Sequence, residues 1–338
     1  MCTAVVFGKQ NRYFGRNLDY DVTFGDRVVV TPRRYGFKFR YLPDMDRHAA
    51  MIGRAAVMDG YPMYYEATNE YGLSMVGLNF VGNCHFCDAV LDMRENLCQF
   101  EMIPYILGRC RDLAGARRII DKINLVNEPF RPDLPLAELH WMLSDAVGCI
   151  VLEITREGVR VYDNPYGVLT NNPPFDFHEN NMCMYRALSS KDVQQTLTNQ
   201  YLLSRFSRGM GAIGLPGDWS SVSRFVRAAF VRANAVEYGD GDEDDIKGES
   251  EDKGKHYGRL RDVNQFFHIL GSVEMVDGCV GVENGFELTQ YSCCCDTKKG
   301  IYYYKEYGDL CVRAVDMHSF DLDSDRLFVV NNENHCNI

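Results

Sequence analysis

Met1-Cys2-Thr3-Ala4-Val5-Val6-Phe7-Gly8 opens the chain, and its second residue governs how the remainder is read. A cysteine directly after an initiator methionine becomes a new N-terminus once Met1 is cut away. It then carries a thiol and a free α-amine on one residue. An α-amine titrates near ~7.7–8.0 and a thiol near ~8.5, so the amine can take the thiol's proton close to neutral pH. Nucleophile and general base would then occupy one position. The dipeptide by itself favours a chance cysteine in a first strand. The stretch Tyr13-Phe14-Gly15-Arg16-Asn17-Leu18-Asp19 tips the reading toward a site.

The chain has 338 residues, 46% apolar and 12% aromatic, enough for a large core. Helical and strand periodicities alternate with no long polar linker, so one domain over residues 1–338 is expected. No apolar run approaches the ~18–20 residues of a membrane span. The start also lacks the basic and apolar regions of a secretory signal, which predicts a cytoplasmic protein. Thirteen cysteines, an odd number, read as free thiols of a reducing compartment. The net charge of −11 argues against a nucleic-acid partner. Much of it sits in an acidic insert at about 239–258, where residues 240–255 hold eight acidic and three basic side chains. The run from Asp240 to Asp245 lacks the glycine a calcium loop places sixth, so a solvated loop is expected.

Strand patterns fall at 3–8, 12–16 and 27–31, then at 51–58 and 61–80, the last bent at Asn69-Glu70-Tyr71-Gly72. Arg16 and Asp19 are three apart, so an unbroken strand would point them to opposite faces. Joint service in one site would then need a turn or bulge near Asn17-Leu18. Helices are predicted over 100–110 and, after the N-cap Asp112, over 113–125. A meander follows at 139–145, 149–155 and 158–163, and Pro173-Pro174 ends any regular element. Residues 178–200 read as polar and partly helical, and the glycine-rich 207–218 as a loop. Helices over 221–236 and 262–275 precede closing strands at 288–293, 300–305 and 311–316. Meanders at both ends with helices between them predict an α+β fold of two sheets flanked by helices.

Five short motifs now fall in order. They are Met1-Cys2-Thr3, Phe14-Gly15-Arg16-Asn17-Leu18-Asp19, Gly77-Leu78-Asn79-Phe80, Leu169-Thr170-Asn171-Asn172-Pro173, and Gly214-Leu215-Pro216-Gly217-Asp218 followed by Ser223-Arg224-Phe225. With them the chain resembles the choloylglycine hydrolase family of N-terminal-nucleophile (Ntn) hydrolases, which contains bile salt hydrolases and penicillin V acylases. The similarity runs from Cys2 to about Val315. It implies a four-layer αββα sandwich with two antiparallel sheets, and amide hydrolysis through a thioester on Cys2 with no metal or organic cofactor. It also implies a homotetramer.

By matching position, the resemblance makes Cys2 the nucleophile, after loss of Met1, and its amine the base. Arg16 stands beside the thiol, where a cation favours thiolate, and Asp19 holds the α-ammonium. Asn79 and Asn171 are the oxyanion donors it offers, and Arg224 completes the cationic surroundings. Arg227 reads as an exposed helix arginine. The implied substrates are bile salts conjugated to glycine or taurine, whose steroid needs an apolar pocket. Tyr20, Phe24, Met58, Phe80 and Leu136 are candidates to line it. Ser207-Arg208-Gly209 resembles a loop type associated with taurine preference, the Arg208 fork meeting a sulfonate. Penicillin V acylase is the alternative with the same chemistry. Asn79 speaks for the bile salt side, because acylases more often carry tyrosine there.

A zinc or redox thiol protein is the competing class. Cys84-His85-Phe86-Cys87 has the spacing of half a zinc site, and Cys293-Cys294-Cys295 would have to supply the rest. Consecutive strand cysteines alternate faces, which makes joint ligation difficult. The eight histidines are scattered and match no Cys-His pattern.

Overall fold

The opening strand has no exposed face. β1 (Cys2–Phe7) is buried at every position, as an apolar run covered on both sides must be. It turns back at once into β2 (Tyr13–Tyr20), pairing Cys2 with Leu18 and Ala4 with Arg16. The computed structural model describes residues 1–238, 260–283 and 285–330; the acidic insert at about 239–258 lies outside them.

β3 (Arg27–Thr31), β4 (Met51–Met58), β5 (Tyr61–Asn69) and β6 (Ser74–Asn79) follow as a meander. β7 (Glu95–Cys98) leads into α1 (Met102–Arg109). α2 (Leu113–Ile120) starts where Asp112 accepts the Gly115 N–H at 2.7 Å. It stops five residues before the expected end at 125, because β8 (Ile123–Val126) pairs in parallel with β7. Ile123 and Leu125 are buried on either side of half-buried Asn124, a period-two pattern hidden inside one that also fits a helix.

β9 (Leu139–Ser144), β10 (Cys149–Thr155) and β11 (Gly158–Asp163) form the second meander, and β12 (Val168–Leu169) is short. α3 (Phe175–Met182) begins directly after Pro174, followed by α4 (Ser221–Asn234) and α5 (Arg261–Gly271). The closing strands are β13 (Val280–Val282), β14 (Gly285–Asp296), β15 (Ile301–Glu306), β16 (Asp309–Asp316) and β17 (Phe328–Val329).

Two antiparallel sheets result. One runs β12-β1-β2-β14-β15-β16 with β13 beside β14; the other runs β11-β10-β9-β6-β5-β4-β3-β17. α1 and α2 cover the outer face of the second sheet, while α3, α4 and α5 cover that of the first. Val28, Val30 and Ile52 meet Tyr291, Cys293 and Tyr302 between the sheets. The architecture is the αββα sandwich. Among the described residues, no helix is long and apolar enough to cross a membrane.

β2 carries no break at Asn17-Leu18. The irregularity lies across from it in β14, where the register shifts between Thr289 and Tyr291. Arg16 and Leu18 therefore face the other sheet, and Asn17 and Asp19 face the helices. Gly15 fixes how closely these strands approach: a Cβ there would stand 1.9 Å from the Cys293 carbonyl oxygen. We expect Gly15→Ala to push β14 away and destabilise the fold by about 1–3 kcal/mol, as overpacking does. A denaturant midpoint unchanged by the substitution would show that the contact carries no constraint.

Candidate active site

Strand parity divides the surroundings of Cys2 into two sides. Its side chain shares a face with Arg16 and Leu18, and all three line a cavity of about 380 Å³ between sheet edges and loops. Arg16 is fully buried there. Its Nη1 donates to the Gly77 carbonyl at 2.8 Å and its Nε to the Asn17 carbonyl at 3.3 Å. Burial opposes the charge, but facing Cys2, Tyr291 and Glu66 raise its pKa above the usual arginine range.

The backbone of Cys2 is held from the helix side. Its N–H donates to Asn171 Oδ1 at 2.8 Å. The same oxygen accepts from Arg224 Nη2 at 2.9 Å, and Asn171 Nδ2 donates to the Asn79 carbonyl at 2.8 Å. Arg224 sits in the first turn of α4, where the helix dipole disfavours a cation. It is nevertheless completely buried, donating to the Cys2 carbonyl, to Thr3 Oγ1 at 2.6 Å and to the Trp219 carbonyl at 2.9 Å. Burial lowers its pKa, against the pull of Asp19. Asp19 Oδ2 stands 3.8 Å from Arg224 Nη1. Its Oδ1 accepts from Thr289 Oγ1 at 2.6 Å, and Oδ2 is buried with no hydrogen-bond partner. Burial raises the Asp19 pKa, with Arg224 and the nearby terminal ammonium opposing.

Met1 is attached in this structure, so the Cys2 nitrogen is an amide. The Met1 ammonium donates to the Asp19 carbonyl and, at 2.9 Å, to Glu287 Oε1. Cys2, Arg16, Asp19, Asn171 and Arg224 are thus brought together, and Asn79 lines the cavity beside Cys2. Arg227 is no exposed helix arginine. It donates to the carbonyls of Ser272, Pro216 and Asp218, tying α4 to the Gly-Leu-Pro-Gly-Asp loop.

Tyr20, Phe24, Met58 and Leu136 line the cavity, with Met63, Phe100, Ile103 and Phe130. Phe80 does not: it is buried behind the wall, stacked on His140 at 4.3 Å between ring centroids. The cause is strand parity, since Asn79 takes the cavity side. Arg208 is exposed and is not part of the lining, because residues 202–209 run over the surface.

The two halves of the supposed zinc site never meet. Cys84 packs, partly buried, against the core cluster of the second sheet, Cys293 and Cys295 lie between the sheets, and Cys294 faces the helices. Among the described residues, no group of three His, Cys, Asp or Glu side chains is placed to hold a metal ion.

Sequence reasoning passed over three supporting groups. Glu66 binds the hydroxyls of Tyr291 and Tyr302 at 2.8 and 2.6 Å and stands 3.8 Å from Arg16. Its one signal was an acid inside the apolar run of β5. His140 and His178 hold the chain leading to Asn171, their Nε2 atoms donating to the carbonyls of Thr170 at 2.9 Å and Asn171 at 3.2 Å. Nothing in the sequence marked either histidine.

Two sheets face to face between helix layers, with a cysteine heading a central strand, define an N-terminal-nucleophile hydrolase fold. Residues 2–330 match the family of linear amide C–N hydrolases called the choloylglycine hydrolase family. The chain belongs to that family. It is 43% identical over 328 residues to a bile salt hydrolase/transferase of Lactiplantibacillus plantarum, covering 97% of this chain and 95% of that protein. A conjugated bile acid hydrolase of Lactobacillus gasseri is 32% identical over 331 residues, covering 97% and 99%. Among solved structures, a mutant conjugated bile acid hydrolase from Clostridium perfringens aligns with TM-score 0.86 and 29% identity, covering 100% of this chain and 99% of that one. Penicillin V acylase from Agrobacterium tumefaciens shares the fold, with TM-score 0.70, 19% identity and coverage of 97% and 90%.

His178 gives this site a pH signature. Burial lowers its pKa to about 4 from an unfolded value near ~6.5, and its Nδ1 has no hydrogen-bond partner. The unfolded chain takes up the proton first. Its contribution is therefore complete above the unfolded value and is lost as pH falls toward the folded one. Unfolding midpoints measured across that window should fall more steeply in the wild type than in His178→Gln. Parallel curves would refute this.

Proposed function

We infer that this protein hydrolyses the amide bond of glycine- or taurine-conjugated bile salts, with Cys2 as nucleophile. The observation that carries this is the apolar cavity of about 380 Å³ with the Cys2 thiol, Arg16 and Asn79 at one end. A steroid acyl group fills the apolar wall, and its amide carbonyl comes to rest by the thiol.

Removal of Met1 turns the Cys2 nitrogen into an amine held by Asn171 Oδ1, and this amine accepts the thiol proton. The sulfur attacks the carbonyl, and a C–S bond forms as the carbonyl electrons move to oxygen. Asn79, and the amide of Asn171, donate to that oxyanion; losing one such donor costs ~10²–10³ in rate. The α-ammonium passes its proton to the leaving glycine or taurine nitrogen as the C–N bond breaks. Water, deprotonated by the same amine, then cleaves the thioester and restores the thiol. Asp19 supports the ammonium, Arg16 favours thiolate, and Arg224 fixes the Cys2 backbone.

Residues 1–338 act as one cytoplasmic domain on this reading, assembled as a homotetramer. Leu197, Tyr201, Leu202 and Phe206 are exposed, apolar side chains that contact between copies would cover. Light scattering that finds a monomer would remove the assembly.

Incubation with glycocholate, taurocholate and penicillin V, with the released amine measured, tests the substrate class. Turnover of both bile salts well above penicillin V is expected; the reverse order would overturn the assignment. Cys2→Ala should abolish turnover, and protein whose intact mass retains Met1 should be inactive. Asn79→Ala should lower kcat by ~10²–10³.

A further inference from the structure

A buried acid stands behind the catalytic arginine, and the reaction as written makes no use of it. Glu66 lies on β5, on the inner face of the second sheet, directly across the sandwich from Arg16. It is 2% exposed. Its Oε2 accepts from Tyr291 and its Oε1 from Tyr302; burial raises its pKa, while Arg16, these two hydroxyls and Arg54 oppose that shift in favour of the carboxylate. Arg16 Nη1 is 3.8 Å from Oε2. The guanidinium is thus bracketed, with the Cys2 thiol on its cavity side and a fixed anion on the other.

The position of Arg16 does not depend on that anion. Backbone carbonyls of Gly77 and Asn17 hold it at 2.8 and 3.3 Å. Arg54, a second buried cation between the sheets, faces Glu66 but bonds to other groups: to Asp26, to Glu306 at 2.8 Å, and over the Tyr291 ring at 4.2 Å. Removing the charge of Glu66 therefore leaves Arg16 in place and uncompensated.

We propose that Glu66 is a positioning residue of the charge distribution. It is the counter-anion that limits how strongly Arg16 favours the Cys2 thiolate. This rests on the reading of Cys2 as nucleophile and Arg16 as its cation. The cost of tempering Arg16 is a less populated thiolate. The return is a thiolate of higher basicity, which is the better nucleophile toward an amide carbonyl.

The groups facing Glu66 are Arg16 from β2, Tyr291 and Cys293 from β14, Tyr302 from β15 and Arg54 from β4. Those facing the Cys2 thiol are Arg16, Arg224 and Tyr20. Glu66 and Arg16 pair across the sandwich at 3.8 Å, and Arg54 pairs with Glu306 across it at 2.8 Å.

The test is iodoacetamide alkylation of the Met1-processed enzyme, followed by mass spectrometry of the Cys2 peptide over the acidic to neutral range. In Glu66→Gln that peptide should react about three- to ten-fold faster at mildly acidic pH, and the acid limb of kcat/KM should move down by about half to one unit. Glu66→Asp, which draws the carboxylate back from Arg16, should move both in the same direction by less. It decides the matter if Glu66→Gln does not fold. Alkylation unchanged or slowed in the folded variants overturns the proposal and leaves the nucleophile assignment standing. Retained hydrolysis in Cys2→Ala would instead bring down the assignment itself.

Discussion

Arg224 ties the site together. A guanidinium without solvent exposure survives only where its donors are satisfied and its charge is balanced. Here it binds the carbonyls of Cys2 and Trp219, the Thr3 hydroxyl and the Asn171 side chain, with Asp19 as the facing anion. Four separate parts of the sequence thereby converge on one side chain: β1, β2, the turn before α3, and α4. None can shift without stranding a buried charge. The Cys2 backbone is consequently fixed before any substrate arrives, as preorganised catalysis requires.

The remaining charges follow from strand parity. Arg16 and Asp19 belong to one unbroken strand and so look in opposite directions. One cation lies on the thiol's face inside the sandwich, and the other cation–anion pair holds the backbone from the helix layer. Each side is close to neutral by itself, Arg16 against Glu66 and Arg224 against Asp19. That arrangement lets two arginines approach one cysteine in a dry interior without a large desolvation penalty falling on either alone.

The elements that declared themselves in the sequence were those whose period is unambiguous. β9, β10 and β11 fell close to their predicted limits, because turn residues bound them on both sides. α2 was overextended because Ile119, Ile120 and Ile123 fit both periods, and only the parallel partner β7 decides between them. The placing of the bulge in β14 rather than β2 was likewise invisible, since it depends on which strand lies opposite. In the site, the residues of the five motifs were legible and those acting through other groups were not. Glu66, His140, His178 and Thr289 meet their partners only after chain separations of thirteen to 270 residues, apart from His178 with Asn171. Phe80 was misplaced for a local reason: Asn79 takes the cavity side at the end of β6, and Phe80, next to it, turns into the core onto His140.

On the inferred mechanism, the Met1-bearing chain is a precursor whose terminal charge sits one residue too early. Asp19 Oδ2 is buried, faces Arg224 at 3.8 Å and accepts no hydrogen bond, while the terminal ammonium sits on Met1, bound to the Asp19 carbonyl and to Glu287. An unpaired buried carboxylate oxygen costs free energy that a hydrogen bond would recover. Removal of Met1 moves the positive charge one residue along, onto the Cys2 nitrogen that Asn171 already holds at 2.8 Å. The processing step that creates the base thus also takes the terminal charge away from Glu287.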